Sequence, residues 1–297
     1  MKNYTIKCGG ASLSVDSLGA QISSLNIDGK EYIWQRNAGV WGGSAPILFP
    51  IIGELKGEGK TTIIGGKPYH IEIHGFAAKQ DFSCEIINDS KMLMSFSSND
   101  ETKAQYPFDY NFSIEYEVFE KGWKQTFIIE NKTDCKMPYF VGGHPGFNCP
   151  LFDGETLEDY TVIFEKEEKN EVFRIGADGL IDDSFTDAVF VDGNKIPMSD
   201  DAFICRTGPS ALVFDAMNSR SVKLVNKNGN GIKMDYPDFD YFGIWRMVKP
   251  EAKYVCLEPW TGINDLYSDD GIYEHKRGIR YIEKGDTARL SFSVEVI

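Results

Sequence analysis

The sequence predicts an all-β protein, a single large antiparallel β-sandwich spanning residues 1–297 as one domain. Three observations carry that expectation. Apolar residues recur with period two, turn dipeptides punctuate the alternating runs, and no segment shows convincing helical periodicity. The clearest run is Phe108-Asp-Tyr-Asn-Phe-Ser-Ile-Glu-Tyr-Glu-Val118, in which every even position is apolar and every odd one polar. Side chains alternate across a strand, so this run has one buried and one wet face.

Taken in order, strands are expected at Tyr4–Lys7, Gln21–Ile27, Tyr69–His74, Phe108–Val118, Trp123–Glu130, Leu212–Phe214, Val222–Leu224 and Leu290–Val296. Lys121-Gly122 turns the fourth of these into the fifth, which predicts a hairpin. Asp28-Gly29, Gly65-Gly66, Asp153-Gly154, Asp192-Gly193 and Asn228-Gly229 supply further turns. Glu165–Asn170 and the stretch around Asp182–Ala188 read as short exposed turns. No Pro/Ser-rich linker, heptad run or repeat divides the chain.

Composition narrows the function. A net charge of −14, with no Lys/Arg run reaching four residues, repels polyanions and excludes nucleic acid as a partner. MKNYTIKCGG lacks an apolar signal core, and no stretch is long enough to span a bilayer, so no membrane partner and a cytoplasmic location are expected. The cysteines Cys8, Cys84, Cys135, Cys149, Cys205 and Cys256 are scattered without a C-x-x-C pair. They read as small buried hydrophobes of a reduced protein, neither disulfides nor zinc ligands. The 20 Phe and 14 Tyr suit pleated sheets and also provide stacking surfaces for sugar rings.

Three clusters break the alternation. In Ile71-Glu-Ile-His-Gly-Phe-Ala77, a strand with Tyr69, Ile71 and Ile73 facing the core puts His70, Glu72 and His74 opposite, and Gly75 ends it at a rim. In Val141-Gly-Gly-His-Pro-Gly-Phe-Asn148, glycines permit close backbone approach while Pro145 biases His144 to an extended conformation, holding its imidazole rigidly. In Tyr254-Val-Cys-Leu-Glu-Pro-Trp-Thr-Gly262, an apolar strand runs into Glu258, whose partial desolvation raises its pKa toward that of a useful base. Trp260 beside it offers a flat face for the apolar side of a sugar. Taken singly, a histidine near Gly and Pro is more often a turn or satisfied core residue, and Glu-Pro-Trp a packed strand end. Two of only four histidines lie in such stiffened segments, which weakens that reading.

Together, His74-Gly-Phe-Ala, Gly143-His-Pro-Gly-Phe-Asn and Leu257-Glu-Pro-Trp-Thr-Gly resemble the three signature segments of the aldose 1-epimerase family. Ala45-Pro-Ile-Leu-Phe-Pro-Ile-Ile-Gly53 resembles its LacX-type branch. The resemblance spans essentially the whole chain in the same order. It implies a β-supersandwich (galactose mutarotase-like) with a shallow sugar cleft, Glu258 as general base and His144 as general acid. It further implies that His74 hydrogen-bonds the sugar, with an aspartate from Ser199-Asp-Asp-Ala-Phe203 doing likewise, Asp201 preferred to Asp200. Such chemistry needs neither metal nor organic cofactor, and the usual ligand spacings are absent. The partner implied is a small-molecule sugar, the chain acting as monomer or homodimer.

Two positions depart from that pattern. Glu54 stands where mutarotases carry an arginine, and Ala78, followed by Lys79, where the LacX-type branch reads arginine. Lysine does not reproduce the planar donor fork of a guanidinium. The acid–base pair is kept while part of the substrate grip is lost, so two readings remain open: an epimerase of an unidentified free aldose, and a sugar-binding protein that kept the cleft without efficient catalysis. The loss of those basic residues and the acidic balance of the chain argue against a phosphorylated sugar.

Overall fold

The computed structural model describes residues 1–204 and 211–297; Cys205 lies outside the described residues. The hairpin read from alternation is present as Tyr110–Phe119 and Gly122–Asn131, paired antiparallel from Tyr110↔Asn131 to Phe119↔Gly122. Phe112, Ile114, Tyr116 and Val118 are all buried, as period two requires. This hairpin sits in a nine-stranded sheet ordered Lys195–Pro197, Tyr160–Phe164, Ser221–Asn226, Gly231–Asp235, Thr287–Val296, Gly122–Asn131, Tyr110–Phe119, Lys91–Ser97, Ser83–Asn88.

A second sheet holds the residues of interest. Its strands run Ala211–Phe214, Tyr241–Trp245, Tyr254–Trp260, Gly142–Gly143, Ile47–Leu48, with Gly146–Asn148 also pairing to Tyr254–Trp260. The two sheets share a core in which Phe49 stacks on Phe112 (ring centroids 4.6 Å apart) and Phe147 meets Trp123 at 5.9 Å. Asn3–Cys8, Ala11–Asp16, Ile22–Ile27 and Lys30–Glu31 form a four-stranded antiparallel sheet, tied to the large one where the Tyr116 hydroxyl donates to the Ala20 carbonyl at 2.6 Å.

Expectation and fold differ in three places. Asp100–Gln105 is a short α-helix, started by a capping box in which Asn99 and Thr102 exchange side chain–backbone bonds; two turns are too few to leave a periodic signal. The strand expected over Tyr69–His74 ends at His70, so the chain turns through 71–74 with Ile71 buried but Ile73 45% exposed. The five described cysteines are free, and Cys135 is exposed where a buried hydrophobe was expected. No helix among the described residues is long and apolar enough to cross a membrane.

Candidate active site

The strand Tyr254–Trp260 organises the site, and all seven of its residues are buried. Val255, Leu257 and Pro259 alternate with Tyr254, Cys256, Glu258 and Trp260, so those four share a face. On one side Glu258 pairs with Gly243, which has no side chain to crowd it. On the other side Gly142 pairs with Trp260 while Gly146 pairs with Cys256. Both pairings hold one register, which sets His144 opposite Glu258. Pro145 has no N–H to continue the ladder, and its carbonyl accepts instead from the Leu257 N–H at 3.2 Å. The Gly-Gly-His-Pro-Gly motif is thus a break in pairing that aims one imidazole across to the next strand.

The result is a convergence of two groups separated by over a hundred residues. His144 Nε2 lies 3.3 Å from Glu258 Oε2. They are not in hydrogen-bond alignment, for Oε2 has no hydrogen-bond partner and neither does His144 Nδ1. Glu258 is 1% exposed and His144 8%. Burial pushes the Glu258 carboxyl well above the usual carboxylate range. The Trp260 indole N–H, the donor that favours its ionised form, stands outside hydrogen-bond geometry. Burial, then the nearby His74, drive the His144 imidazole down to about 3.

His74 joins them, its ring perpendicular to that of His144 at 5.8 Å. It comes from a turn and not from the strand rim anticipated, with φ of +63°, a left-handed conformation costly for a side chain of this kind. Two backbone bonds hold it there: its N–H donates to the Gly53 carbonyl at 2.9 Å, and its own carbonyl accepts from Phe49 at 3.2 Å. The Gly53 N–H donates to His74 Nδ1 at 3.1 Å, which fixes the neutral ring with its proton on Nε2. Burial lowers its pKa to about 4, so His74 is a neutral donor at physiological pH.

Aromatic rings enclose the pair. Trp41 stacks on Tyr254 (5.1 Å, 27°), lies 5.3 Å from His144 and meets the edge of Trp245 at 5.2 Å; Trp245 itself lies 5.6 Å from His144. The approach depends on glycine, because a Cβ on Gly146 would fall 2.5 Å from the Trp41 ring. Trp41 and Trp245 escaped the sequence reading. The one signal for Trp41 was a tryptophan set inside Gly39-Val-Trp-Gly-Gly43, an odd place for so large an apolar group.

Trp260 requires a correction. It is 3% exposed, with its ring lodged where a Cβ on Gly142 or Gly243 would come within 2.6 or 2.4 Å, so its face is covered and offers a ligand no platform. Alternation assigned the correct face of the strand but could not say what lies over it. Asp201 also lies apart: it is exposed on the one-turn helix Asp200–Phe203 and has no described contact with His144 or Glu258. Its neighbour Asp200 is the one that reaches inward, accepting from buried Arg246 Nη1 at 2.5 Å. Glu54 is buried and paired with Lys60 Nζ at 2.6 Å. Ala78 is half-buried, and Lys79 extends outward to Glu72 at 4.0 Å.

An antiparallel sheet carrying a carboxyl and an imidazole face to face under tryptophan defines a protein of the galactose mutarotase-like β fold. The chain belongs to the Aldose 1-epimerase family, whose model it matches over residues 2–272. It is 31% identical over 287 residues to the plasmid-encoded LacX protein of Lactococcus lactis subsp. lactis, covering 95% of each chain. Among solved structures it resembles a galactose mutarotase related enzyme from Lactobacillus acidophilus (30% identity, TM-score 0.87, 100% and 97% of the two chains). It also resembles a galactose mutarotase-like protein from Lactobacillus casei ATCC 334 (26% identity, TM-score 0.90, all of both chains).

Proposed function

We propose that this chain is a carbohydrate epimerase that interconverts the α and β anomers of a free aldose, with Glu258 and His144 moving the two protons. The observation that carries the reading is the convergence of that carboxyl and imidazole at 3.3 Å, with Glu258 Oε2 and His144 Nδ1 both unpartnered. Unsatisfied buried polar atoms are costly, and a ligand that supplies hydroxyls would satisfy them.

Ring opening takes the proton from the anomeric hydroxyl as the ring oxygen gains one; the C1–C2 bond then rotates and closure reverses both transfers. One proton shared by the pair suffices. With the carboxyl raised and the imidazole lowered, the resting pair holds its proton on Glu258. Sugar hydroxyls donating to the carboxylate would favour its ionised form and pass the proton to His144, giving the base and acid that opening needs. His74 Nε2–H donates to a substrate oxygen. Each positioned transfer is worth on the order of 10²–10⁴ in rate. Trp41 covers His144, so a sugar enters only when that ring swings aside, and its apolar face then becomes a stacking surface.

The test is polarimetry with freshly dissolved α-anomers of galactose, glucose and related aldoses. Wild type should accelerate mutarotation, and Glu258→Gln and His144→Asn should each abolish the acceleration while remaining folded. The pairing of Glu54 with Lys60, where the family carries a guanidinium, favours a second reading, a sugar-binding protein without efficient catalysis. Sugar binding by an inert wild type would select it.

A further inference from the structure

The proposed proton transfers leave one buried nucleophile of the site unused. Cys256 lies two residues before Glu258 on the same strand face, fully buried, and its thiol has no hydrogen-bond partner among the described residues. A ring nitrogen of His144, Cys256 Sγ and a Glu258 carboxylate oxygen all lie within 4.8 Å of one another. A tetrahedral zinc ion, with bonds of about 2.0–2.3 Å, holds its ligand atoms about 3.5 Å apart, so the His144–Glu258 separation of 3.3 Å already fits and the sulfur, within 4.8 Å of both, closes on the ion as it binds. Glu258 Oε2 is buried and without a hydrogen-bond partner, 3.3 Å from His144 Nε2.

We propose that His144, Cys256 and Glu258 form a three-ligand site for a thiophilic divalent cation, with Zn²⁺ the best match. The donor set decides the class of metal: one imidazole nitrogen, one thiolate sulfur and one carboxylate oxygen suit zinc or cobalt and not magnesium or calcium, which take oxygen ligands. A thiolate and a carboxylate together neutralise the two charges of the ion, so the bound site is no more charged than the bare one. Three protein ligands leave a fourth position for water or a hydroxyl. The sequence hides the site because two ligands lie on one strand and the third more than a hundred residues earlier. If the epimerase reading holds, the ion occupies the two groups that reaction needs and inhibits it.

The test uses the full-length chain, stripped with chelator and kept reduced, and titrated with Co²⁺ as a spectroscopic substitute. One equivalent should produce a thiolate-to-cobalt charge-transfer band with the intense visible absorption of a tetrahedral ion, and Zn²⁺ should bleach both. Cys256→Ser and Cys256→Ala should each lose the band while keeping the wild-type circular dichroism. His144→Asn should lose the tetrahedral spectrum. No band in the wild type, or a band that survives both Cys256 substitutions, overturns the proposal. Because this readout is binding, a chain that takes up cobalt but, stripped of metal, accelerates no mutarotation refutes the epimerase reading alone.

Discussion

Replacing Glu258 by Gln should raise the stability of the folded chain at neutral pH even as it removes activity. The side chains are nearly the same size, and Gln is uncharged at every pH. In the wild type, burial holds the carboxyl well above its ordinary pKa, so between the ordinary value and the raised one the folded chain binds a proton that the unfolded chain has released. Stability from this group is therefore complete below the unfolded-state pKa near 4.3 and falls as pH rises, by about 1.4 kcal/mol per unit. Above pH 5 the wild type should lose stability relative to Glu258→Gln, by at most about 1.4 kcal/mol per unit until the folded-state carboxyl ionises. Titrating groups remote from Glu258 are common to both chains and cancel in the difference, while His144, 3.3 Å away, titrates as part of the same pair. Urea denaturation at pH 5, 6 and 7 measures it. A stability difference that stays flat over that range would mean Glu258 is solvated in the folded state, and the desolvated pair would have to be abandoned.

Three further outcomes follow from the same geometry. Trp41→Ala should admit water to Glu258 and flatten the pH-dependent stability difference just described; a slope that persists would show that Trp41 is not the cover. His74 is held neutral with a pKa near 4, so its contribution is present above pH 6.5 and lost as pH falls toward 4. Over that interval the advantage of wild type over His74→Gln should shrink by at most about 3 kcal/mol, read from paired denaturation curves; an unchanged difference would contradict its burial. Lys276 and Asp265 form an ion pair that is almost wholly buried. Lys276→Met alone should cost about 3–5 kcal/mol by stranding the Asp265 carboxylate, and adding Asp265→Asn should recover most of it, whereas equal losses in the single and double variants would deny the coupling.

Sequence legibility followed what is local. Period two gave the hairpin around Lys121-Gly122 because each residue's face depends only on its strand neighbours. His144 and Glu258 were recognisable because glycine and proline stiffen the backbone beside them. Trp41 and Trp245 were not, since their meeting over His144 comes from the packing of a loop on a strand and leaves no spacing in the chain. Cys256 was read as a small hydrophobe, and its nearness to His144 follows only from the shared register of Gly142↔Trp260 and Gly146↔Cys256. Trp260 was misread for a related reason: alternation assigns a face but not its covering, and here Gly142 and Gly243 let the ring sink against the backbone. At 71–74 a strand pattern yielded to a turn because Gly75, with φ of +79°, packs so close to Phe49 that a Cβ would lie 2.1 Å from its carbonyl oxygen.

A structure of the chain soaked with a slowly turned-over aldose confronts the account most directly. Trp41 should be displaced from His144. The anomeric hydroxyl and the ring oxygen should each lie within about 2.6–3.2 Å of either the Glu258 carboxylate or His144 Nε2, one group to each. A sugar bound elsewhere on the sheet, with Trp41 still seated on His144, would contradict it.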